Sequence, residues 1–506
     1  MEISLISTST YPSDQGLRSV SSVLKSKGYK VKLIFLVESE DYNKIYSKNV
    51  LNQLRRIVRN SDVVGISSYA STAKRAEQVI RSLKNKLIVY GGVHATICPH
   101  ECINVCDHVC VGEGEEAFLE FVEKLKNKKD YSKVKNFWFR KDDEIIRNEV
   151  RPLIQDLDKL PFADYDIKYH YILEKNKIIK FEERHLGGGI FFLTGRGCPY
   201  SCTYCSNRLF NDLYKGKGKI LRWHSPDYII DCILDLKRKY KSLKIFDIRD
   251  DTFFARNLEN IREFCEKYKK KVNLRFKCLG DPVKISDEKI KLLVDAGCTD
   301  IIIGIQGSEN VNYNIYKRYQ KDEEVVNASK ILSKYKNLAV MYDVITCNPY
   351  ENKDDVLNLI KLLIKVEKPY YLSVNNLVFF TGTELYNKAK EDKIIIREKD
   401  SAANLNYWDR WEHIKLKKKN AYLNLVLNLM RGVCTRKRYG IIPFFVLKYL
   451  IKKEVVDYNL RNEFITYSVG NIVGVYDYFR ENLLKKIYRS LPVSFKVWYD
   501  KVRYRV

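Results

Sequence analysis

The sequence predicts an α/β protein in three parts. These are a doubly wound, flavodoxin- or Rossmann-like sheet, a second βα-alternating region, and a helix-rich C-terminal region. Three observations predict it. Apolar runs of four to six residues alternate with helically spaced segments from residue 2 to about 125. The alternation resumes from 190 to about 385, and beyond about 390 helical spacing takes over. Strand–helix alternation of this kind makes a parallel sheet with helices on its faces. The expected parts are 1–125, a connector 126–185, a core 186–390 and a C-terminal region 391–506.

The first strand is Ile3 to Ile6, and Gly16 to Gly28 is a helix with Leu17, Val20, Val23 and Leu24 on one face. Val31 to Leu36 is the second strand and Leu51 to Val58 the next helix. Val63 to Ser67 is a buried strand, followed by a helix through Ala76 and Leu83. Leu87 to Tyr90 is a fourth strand ending in Gly91-Gly92, His108 to Val111 a fifth, and Glu116 to Leu125 a closing helix. Ligands on such sheets bind beyond the carboxyl ends of the strands. In the connector, Phe137–Phe139 and Glu144–Ile146 form a small hairpin. Core strands are expected at 190–193, 244–249, 273–278, 300–305, 340–346 and 372–378, six units that fit a partial (β/α)6 barrel. Ala421 to Met430 is the clearest helix of the last region.

Composition narrows the function classes. The chain has 506 residues, 45% of them hydrophobic and 30% charged, ordinary for a globular protein of several domains. The N-terminus is strand-like, with no basic segment of a secretory signal. No apolar run approaches the roughly 20 residues of a membrane-spanning helix. Thirteen cysteines without such a signal point to a reducing, cytoplasmic compartment and to metal chemistry, not disulfides. The net charge is +27, and residues 401–506 carry 21 Lys and Arg against 8 Asp and Glu. A solvated basic face explains this, and so does an anionic partner.

The segment Gly195-Arg196-Gly197-Cys198-Pro199-Tyr200-Ser201-Cys202-Thr203-Tyr204-Cys205 carries most of the chemistry. Cys198, Cys202 and Cys205, spaced C-x3-C-x2-C, can hold three irons of a 4Fe–4S cluster. Such a cluster normally takes four cysteines, so one iron stays open to a ligand. A zinc knuckle needs a fourth ligand, and His224 stands 19 residues beyond Cys205. A second pattern, Cys98, Cys102, Cys106 and Cys110, recurs every four residues with His94, His100 and His108 nearby. A stripe of this kind usually faces a core, where free cysteine behaves as a small hydrophobe.

The cysteine spacing, with Tyr204 before the last cysteine, resembles the signature of the radical S-adenosylmethionine (SAM) family. The resemblance implies that the open iron chelates SAM, whose cleavage yields a 5′-deoxyadenosyl radical. Arg249-Asp250-Asp251-Thr252-Phe253 resembles the family's second-strand motif, which assigns Asp250 or Asp251 to the SAM ammonium; an ordinary helix cap is the alternative. Gly304-Ile305-Gln306-Gly307-Ser308 resembles a motif with glutamate where Gln306 stands. Arg318 matches an arginine facing the SAM carboxylate, and Asn348, in Thr346-Cys347-Asn348-Pro349, matches a turn bordering adenine. Phe380-Thr381-Gly382-Thr383-Glu384-Leu385 resembles a Pro-Gly-Thr-Glu-Leu motif. Tyr204 joins the SAM contacts on the same ground; no catalytic residue is assigned.

Ser67-Ser68-Tyr69, Gly91-Gly92-Val93-His94 and Gly112-Glu113-Gly114-Glu115 resemble the cobalamin (B12)-binding domain attached to one class of radical SAM proteins. Leu160-Pro161-Phe162-Ala163-Asp164-Tyr165-Asp166 resembles the linker of the same class. The resemblance places Ser67, Ser68, Gly91, Gly92 and His94 around cobalamin. The sequence departs from the D-x-H-x-x-G pattern: the matching turn reads Ser13-Asp14-Gln15-Gly16, so no histidine there ligates cobalt.

The implied activity is methyl transfer from cobalamin to an unactivated carbon, or phosphorus, after radical abstraction of hydrogen. A second reading keeps the radical start and ends in cyclisation, rearrangement or oxidation. A third, RNA modification, rests on Trp408, Trp411, Trp498 and the basic tail, without an RNA-binding module. The expected partners are a small-molecule or lipid-like substrate and a low-potential donor such as flavodoxin or ferredoxin, with nucleic acid disfavoured. Peripheral membrane contact is read from Lys415, Lys417, Lys418 and Lys419, and from Phe444, Phe445, Leu447, Tyr449 and Leu450 ahead of Lys452 and Lys453. Helices that bury these apolar faces are the commoner outcome.

Overall fold

The computed structural model describes residues 1–37, 44–395 and 420–461. The chain divides into two compact units, Met1–Phe276 with Val378–Asn406, and Lys277–Leu377 with Tyr407–Val506.

The first unit opens with β1 (Glu2–Ser7), α1 (Gln15–Ser26), β2 (Lys30–Phe35), α2 (Lys48–Ile57), β3 (Val63–Ser67), α3 (Ala73–Ser82) and β4 (Leu87–Gly91). Then come α4 (Gly92–Ile97), α5 (Pro99–Cys102), β5 (His108–Cys110) and α6 (Glu115–Lys126). Hairpins β6 (Phe137–Lys141)–β7 (Glu144–Arg147) and β8 (Tyr171–Glu174)–β9 (Lys177–Lys180) follow. All nine strands form one sheet, ordered β7-β6-β5-β4-β3-β1-β2-β8-β9. The first five strands thus run parallel in the order 5-4-3-1-2. That is the flavodoxin-like order, with its switch point between β1 and β3.

Alternation along β1 feeds two cores. Ile3 and Leu5 point to one face, with Leu33, Val63 and Val89. Ile6 points to the other, with Ile34, Ile66 and Ile88. Each fully buried side chain of this size contributes roughly 1.5–3 kcal/mol. At the start of α1, the Asp14 carboxylate accepts from the Leu17 N–H at 3.1 Å, a side-chain cap that fixes the loop after β1.

The connector is part of the sheet. The β6–β7 hairpin pairs antiparallel with β5, and β8 pairs parallel with β2, so residues 126–185 cover both edges. Unpaired edges expose backbone groups and invite association, which is why this stretch is ordered structure and no loose linker. The Asp164 stretch is pinned as well. Asp164 accepts from Ser21 at 2.5 Å and pairs with Lys25 at 2.8 Å. Arg18, fully buried, donates to the Asp164 and Pro12 carbonyls and lies 4.1 Å from the Tyr165 ring centroid.

The same unit continues with β10 (Gly189–Phe192), β11 (Gly195–Arg196), α7 (Ser206–Leu213), β12 (Arg222–Trp223), α8 (Pro226–Lys239), β13 (Ile245–Ile248) and α9 (Leu258–Lys271). β10 pairs parallel with β13, and β11 with β12 as a short antiparallel ribbon. The chain leaves this unit within β14 (Arg275–Gly280).

The second unit holds α10 (Asp287–Asp295), β15 (Cys298–Gln306), α11 (Glu309–Asn314), α12 (Asp322–Ser333), β16 (Ala339–Thr346), α13 (Lys353–Lys365) and β17 (Tyr370–Asn376). β15, β16 and β17 pair parallel in succession. The chain then contributes α14 (Glu384–Glu391) to the first unit and returns at α15 (Ala421–Met430). All six expected core strands are present.

The C-terminal region differs in part from a helical expectation. After α15 come three short strands, β18 (Gly432–Cys434), β19 (Arg438–Tyr439) and β20 (Ile442–Pro443), extending β17 antiparallel. Their runs are two or three residues long, too short to show alternation. Helices α16 (Phe444–Leu450) and α17 (Lys453–Arg461) follow. The tryptophans at 408, 411 and 498 and the lysines at 415 and 417–419 lie outside the described residues.

Candidate functional site

A cavity of about 680 Å³ opens in the first unit, over the carboxyl ends of β1, β3 and β4. The switch point puts it there: the loops after β1 and β3 diverge and leave a crevice. Ser67, Ser68, Gly91 and Gly92 line it, as do Asp14 and Gln15 from the loop after β1. Gly92 has φ +88°, and a Cβ there would stand 2.6 Å from Ser67 Oγ and 3.0 Å from Ser68 N. Only glycine fits that turn. Gly112, φ +83°, is tighter, since a Cβ would meet the Tyr214 hydroxyl at 2.0 Å. That hydroxyl accepts from the Glu113 N–H at 2.7 Å.

The cysteine loop runs from β11 into α7. Cys198 and Cys202 are buried and Cys205 is partly exposed. The loop closes through Cys205 N–H to the Cys202 carbonyl at 3.0 Å, and Asn211 donates to the Cys198 carbonyl at 3.0 Å. Leu385 N–H donates to the Thr203 carbonyl at 2.9 Å, so the Thr383-Glu384-Leu385 turn braces the loop from behind. Gly197 and Ser206, which flank the loop, line the cavity.

Arg196 joins loop and sheet. It pairs with Glu113 at 3.0 Å and Glu115 at 2.6 Å, while Arg222 pairs with Glu113 at 2.9 Å. Burial alone would raise the Glu115 carboxyl; the Arg196 charge and hydrogen bonds outweigh it and hold it below the usual range. The turn 112–115 and the ribbon 195–196/222–223 are therefore locked face to face. Removing one partner of a buried pair costs about 3–5 kcal/mol.

The two aspartates after β13 separate. Asp250 is 2% exposed and spent on structure. It accepts from Thr194 N–H at 2.6 Å and Gly195 N–H at 3.2 Å, and pairs with Arg256 at 2.8 Å. Asp251 opens on the cavity. The surrounding protein pushes its carboxyl upward, Asn207 draws it down by a hydrogen bond, and the Asp250 charge adds to the rise.

The family model for the B12 binding domain matches residues 2–122, and that for the radical SAM superfamily matches residues 192–363. The chain belongs to the B12-binding-domain radical SAM proteins. It is an enzyme of that class, with a 4Fe–4S cluster, SAM and cobalamin as cofactors. It is 25% identical to an uncharacterized methyltransferase of Pyrococcus horikoshii over 66% of this chain and 71% of that one. It is 26% identical to an anaerobic magnesium-protoporphyrin IX monomethyl ester cyclase of Synechocystis over 56% of this chain and 54% of that one, about half the cyclase's length. The radical SAM methyltransferase TsrM from Kitasatospora setae shares the fold, with TM-score 0.63, 14% identity, and coverage of 78% of this chain and 77% of that one.

The residues present fit these groups. Burial pushes the Cys198 thiol up to about 12, with the charges of Asp251, Cys205 and Cys202 adding to it. Thiolates so placed need a cationic centre. Among the described residues, the only His, Cys, Asp or Glu trio gathered within 4.8 Å lies elsewhere. The Gly92 turn packs so closely on Ser67 and Ser68 that no side chain stands between it and the cavity it lines.

Gln306, Arg318 and Asn348 lie in the second unit, at or beyond the carboxyl ends of β15 and β16. Gln306 sits at φ +68° after a bulge in β15. Arg318 donates to the Gly304 carbonyl at 3.2 Å, and Asn348 to the Tyr316 hydroxyl at 3.2 Å. Tyr204, Asp250 and Asp251 belong to the first unit. His94 does not line the cavity. It is buried behind the Gly91-Gly92 turn, 6.2 Å from the Tyr90 ring.

Two cavity residues were not assigned to the site from sequence. His224 stacks on Tyr228 at 4.0 Å, bonds Asp158 through Nδ1 at 3.0 Å, and is driven down to about 4 by burial. Arg249 pairs with Asp247 at 2.7 Å and leaves its buried Nε without a hydrogen-bond partner. The Glu113, Glu115, Arg196 and Arg222 network did have a signal: acids and bases in two glycine-spaced turns, Gly-Glu-Gly-Glu and Gly-Arg-Gly.

Proposed function

We propose that the chain is a cobalamin-dependent methyltransferase that acts on an unactivated carbon or phosphorus of a small molecule. One observation carries this reading: the cradle turns and the flanks of the cysteine loop open on the same 680 Å³ cavity. When bound, the cluster and SAM supply the hydrogen-abstracting radical, and cobalamin supplies the methyl group. The chain's own residues position and enclose. The Glu113–Arg196–Glu115 lock fixes the cysteine loop against the cradle, and tens-of-degrees or ångström errors in such alignments are costly. Asp251 offers a carboxylate for an ammonium, and Arg249 offers its Nε to an anionic group. The phenyl rings of Phe191 and Phe210 help to exclude water. Reducing equivalents come from an external donor of flavodoxin or ferredoxin type, consistent with a cytoplasmic enzyme.

A second reading, cyclisation without methyl transfer, draws on the similarity to the magnesium-protoporphyrin cyclase. Anaerobic reconstitution with hydroxocobalamin, reductant and methyl-labelled SAM separates the two. Methyl transfer gives S-adenosylhomocysteine beside 5′-deoxyadenosine, with label leaving SAM. 5′-Deoxyadenosine alone sinks the methyltransferase reading and leaves the second.

A further inference from the structure

His94, Cys98 and Glu101 form a constellation outside the lining of the cofactor cavity. His94 and Cys98 are four apart, so a helix places them on one face, one turn apart. Pro99 then ends α4 and starts α5, and the break at Cys98 turns Glu101 back toward the pair. An imidazole nitrogen of His94, Cys98 Sγ and a Glu101 carboxylate oxygen all lie within 4.8 Å of one another.

The hydrogen-bonding state of His94 is the second observation. The side chain is buried, its Nδ1 has no hydrogen-bond partner, and its Nε2 stands 3.8 Å from the Glu101 carboxylate, beyond hydrogen-bond range. A buried unsatisfied polar group costs about 1–3 kcal/mol, and most are satisfied in folded proteins. Burial keeps this imidazole neutral, its metal-binding form. Cys98 is buried too, and its Sγ makes a weak contact with the Thr381 carbonyl at 3.8 Å. Glu101 is exposed and leaves a route in from solvent.

We infer that His94, Cys98 and Glu101 bind one Zn²⁺ ion, with water in the fourth position. The donor set of one nitrogen, one sulfur and one oxygen suits zinc. Calcium and magnesium ask for oxygen alone. Coordination releases the Cys98 thiol proton to solvent and gives one nitrogen of the buried imidazole a partner. Cys102, Cys106 and Cys110 remain buried core thiols, as the stripe predicts.

The site's place in the fold gives it a structural task. Thr381 beside Cys98 belongs to the turn whose Leu385 braces the cysteine loop at Thr203. A Cβ on Gly382 would lie 3.4 Å from the Ile97 carbonyl, so the turn packs on the end of α4. Zinc would fix the α4–α5 corner on which that turn rests.

The test uses the full chain with its cluster reconstituted, so that the cluster cysteines are occupied. After incubation with Zn²⁺ and gel filtration, metal analysis should give about one zinc per chain beside the cluster iron. Cys98→Ser and His94→Gln should each lower it at least tenfold with far-UV circular dichroism unchanged. Zinc below a tenth per chain in the parent protein, or unchanged in a folded Cys98→Ser, overturns the site. If both variants misfold, zinc K-edge absorption on the parent protein decides. One sulfur at about 2.3 Å with nitrogen and oxygen at about 2.0–2.2 Å supports the site. Three or four sulfurs place zinc on the cluster loop and overturn it.

Discussion

Cys198, Cys202 and Cys205 differ from the other ten cysteines in sitting on one short loop whose flanks, Gly197 and Ser206, line the cavity. Changing all three to alanine should abolish the brown chromophore and SAM cleavage while leaving far-UV circular dichroism intact; iron analysis after anaerobic reconstitution should fall from about four per chain to below one. Asp250 and Asp251 should part in the same way. Asp250→Asn leaves Arg256 buried against an amide, and a denaturant midpoint should register a loss of about 3–5 kcal/mol. Asp251→Asn removes a cavity carboxylate with little structural role. It should weaken SAM binding roughly tenfold, about 1.4 kcal/mol, at unchanged stability. Equal stability losses in both variants would erase the distinction. The sequence placed both aspartates at the strand end but could not choose between them. The choice depends on Thr194, Gly195 and Arg256, and Thr194 stands 56 residues from Asp250.

Turns, more than helices, make the cradle. Gly92→Ala would put a methyl 2.6 Å from Ser67 Oγ in a backbone at φ +88°. Cobalamin affinity measured by equilibrium dialysis should drop at least tenfold, whereas Gly28→Ala, with φ +80° but nothing within 4 Å, should change stability and leave affinity alone. Matching losses in affinity for both would mean that strain, not the cradle, matters. Elements of this kind were legible in the sequence where their period was long enough. The first five strands and Ala421–Met430 follow from apolar runs and helical spacing. The β18–β20 meander did not, because two-residue strands have no period. The connector's hairpin β8–β9 was missed for another reason: Tyr171 to Lys180 is short and charged, and pairs with β2 through backbone bonds that composition does not record. His94 was drawn toward the cavity by its Gly-Gly neighbours, yet α4 begins at Gly92 and rotates it behind the turn.

At the scale of the whole chain, buried ionisable groups set the response to acid. His224 is held down to about 4 by burial, and His170 is lowered by burial against the opposing pull of Asp164. His224 stays neutral in the fold down to about pH 4 and takes up a proton on unfolding below about pH 6.5, and His170 shifts in the same direction. The unfolded state therefore binds more protons between about pH 6.5 and 4, and stability must fall as pH drops through that window. For His224 the loss approaches 3 kcal/mol, at about 1.4 kcal/mol per pH unit. A second decline follows below about pH 4. Burial works against the Asp164 carboxylate, but His170 and Lys25 hold it far below its usual range, and Glu115 is likewise depressed by Arg196. Depressed carboxylates stabilise above their unfolded values and lose that contribution as pH falls through the folded ones. The net charge of +27 only grows on acidification, so self-repulsion works in the same direction. Urea midpoints of the cofactor-free chain at pH 7.5, 6, 5 and 4 should decline steadily, and His224→Phe, which keeps a ring against Tyr228, should flatten the decline between pH 6 and 4. A midpoint constant from pH 7.5 to 5, or a His224→Phe profile parallel to that of the parent chain, would show that this imidazole is protonated in the fold and that its stacking on Tyr228 does not exclude charge.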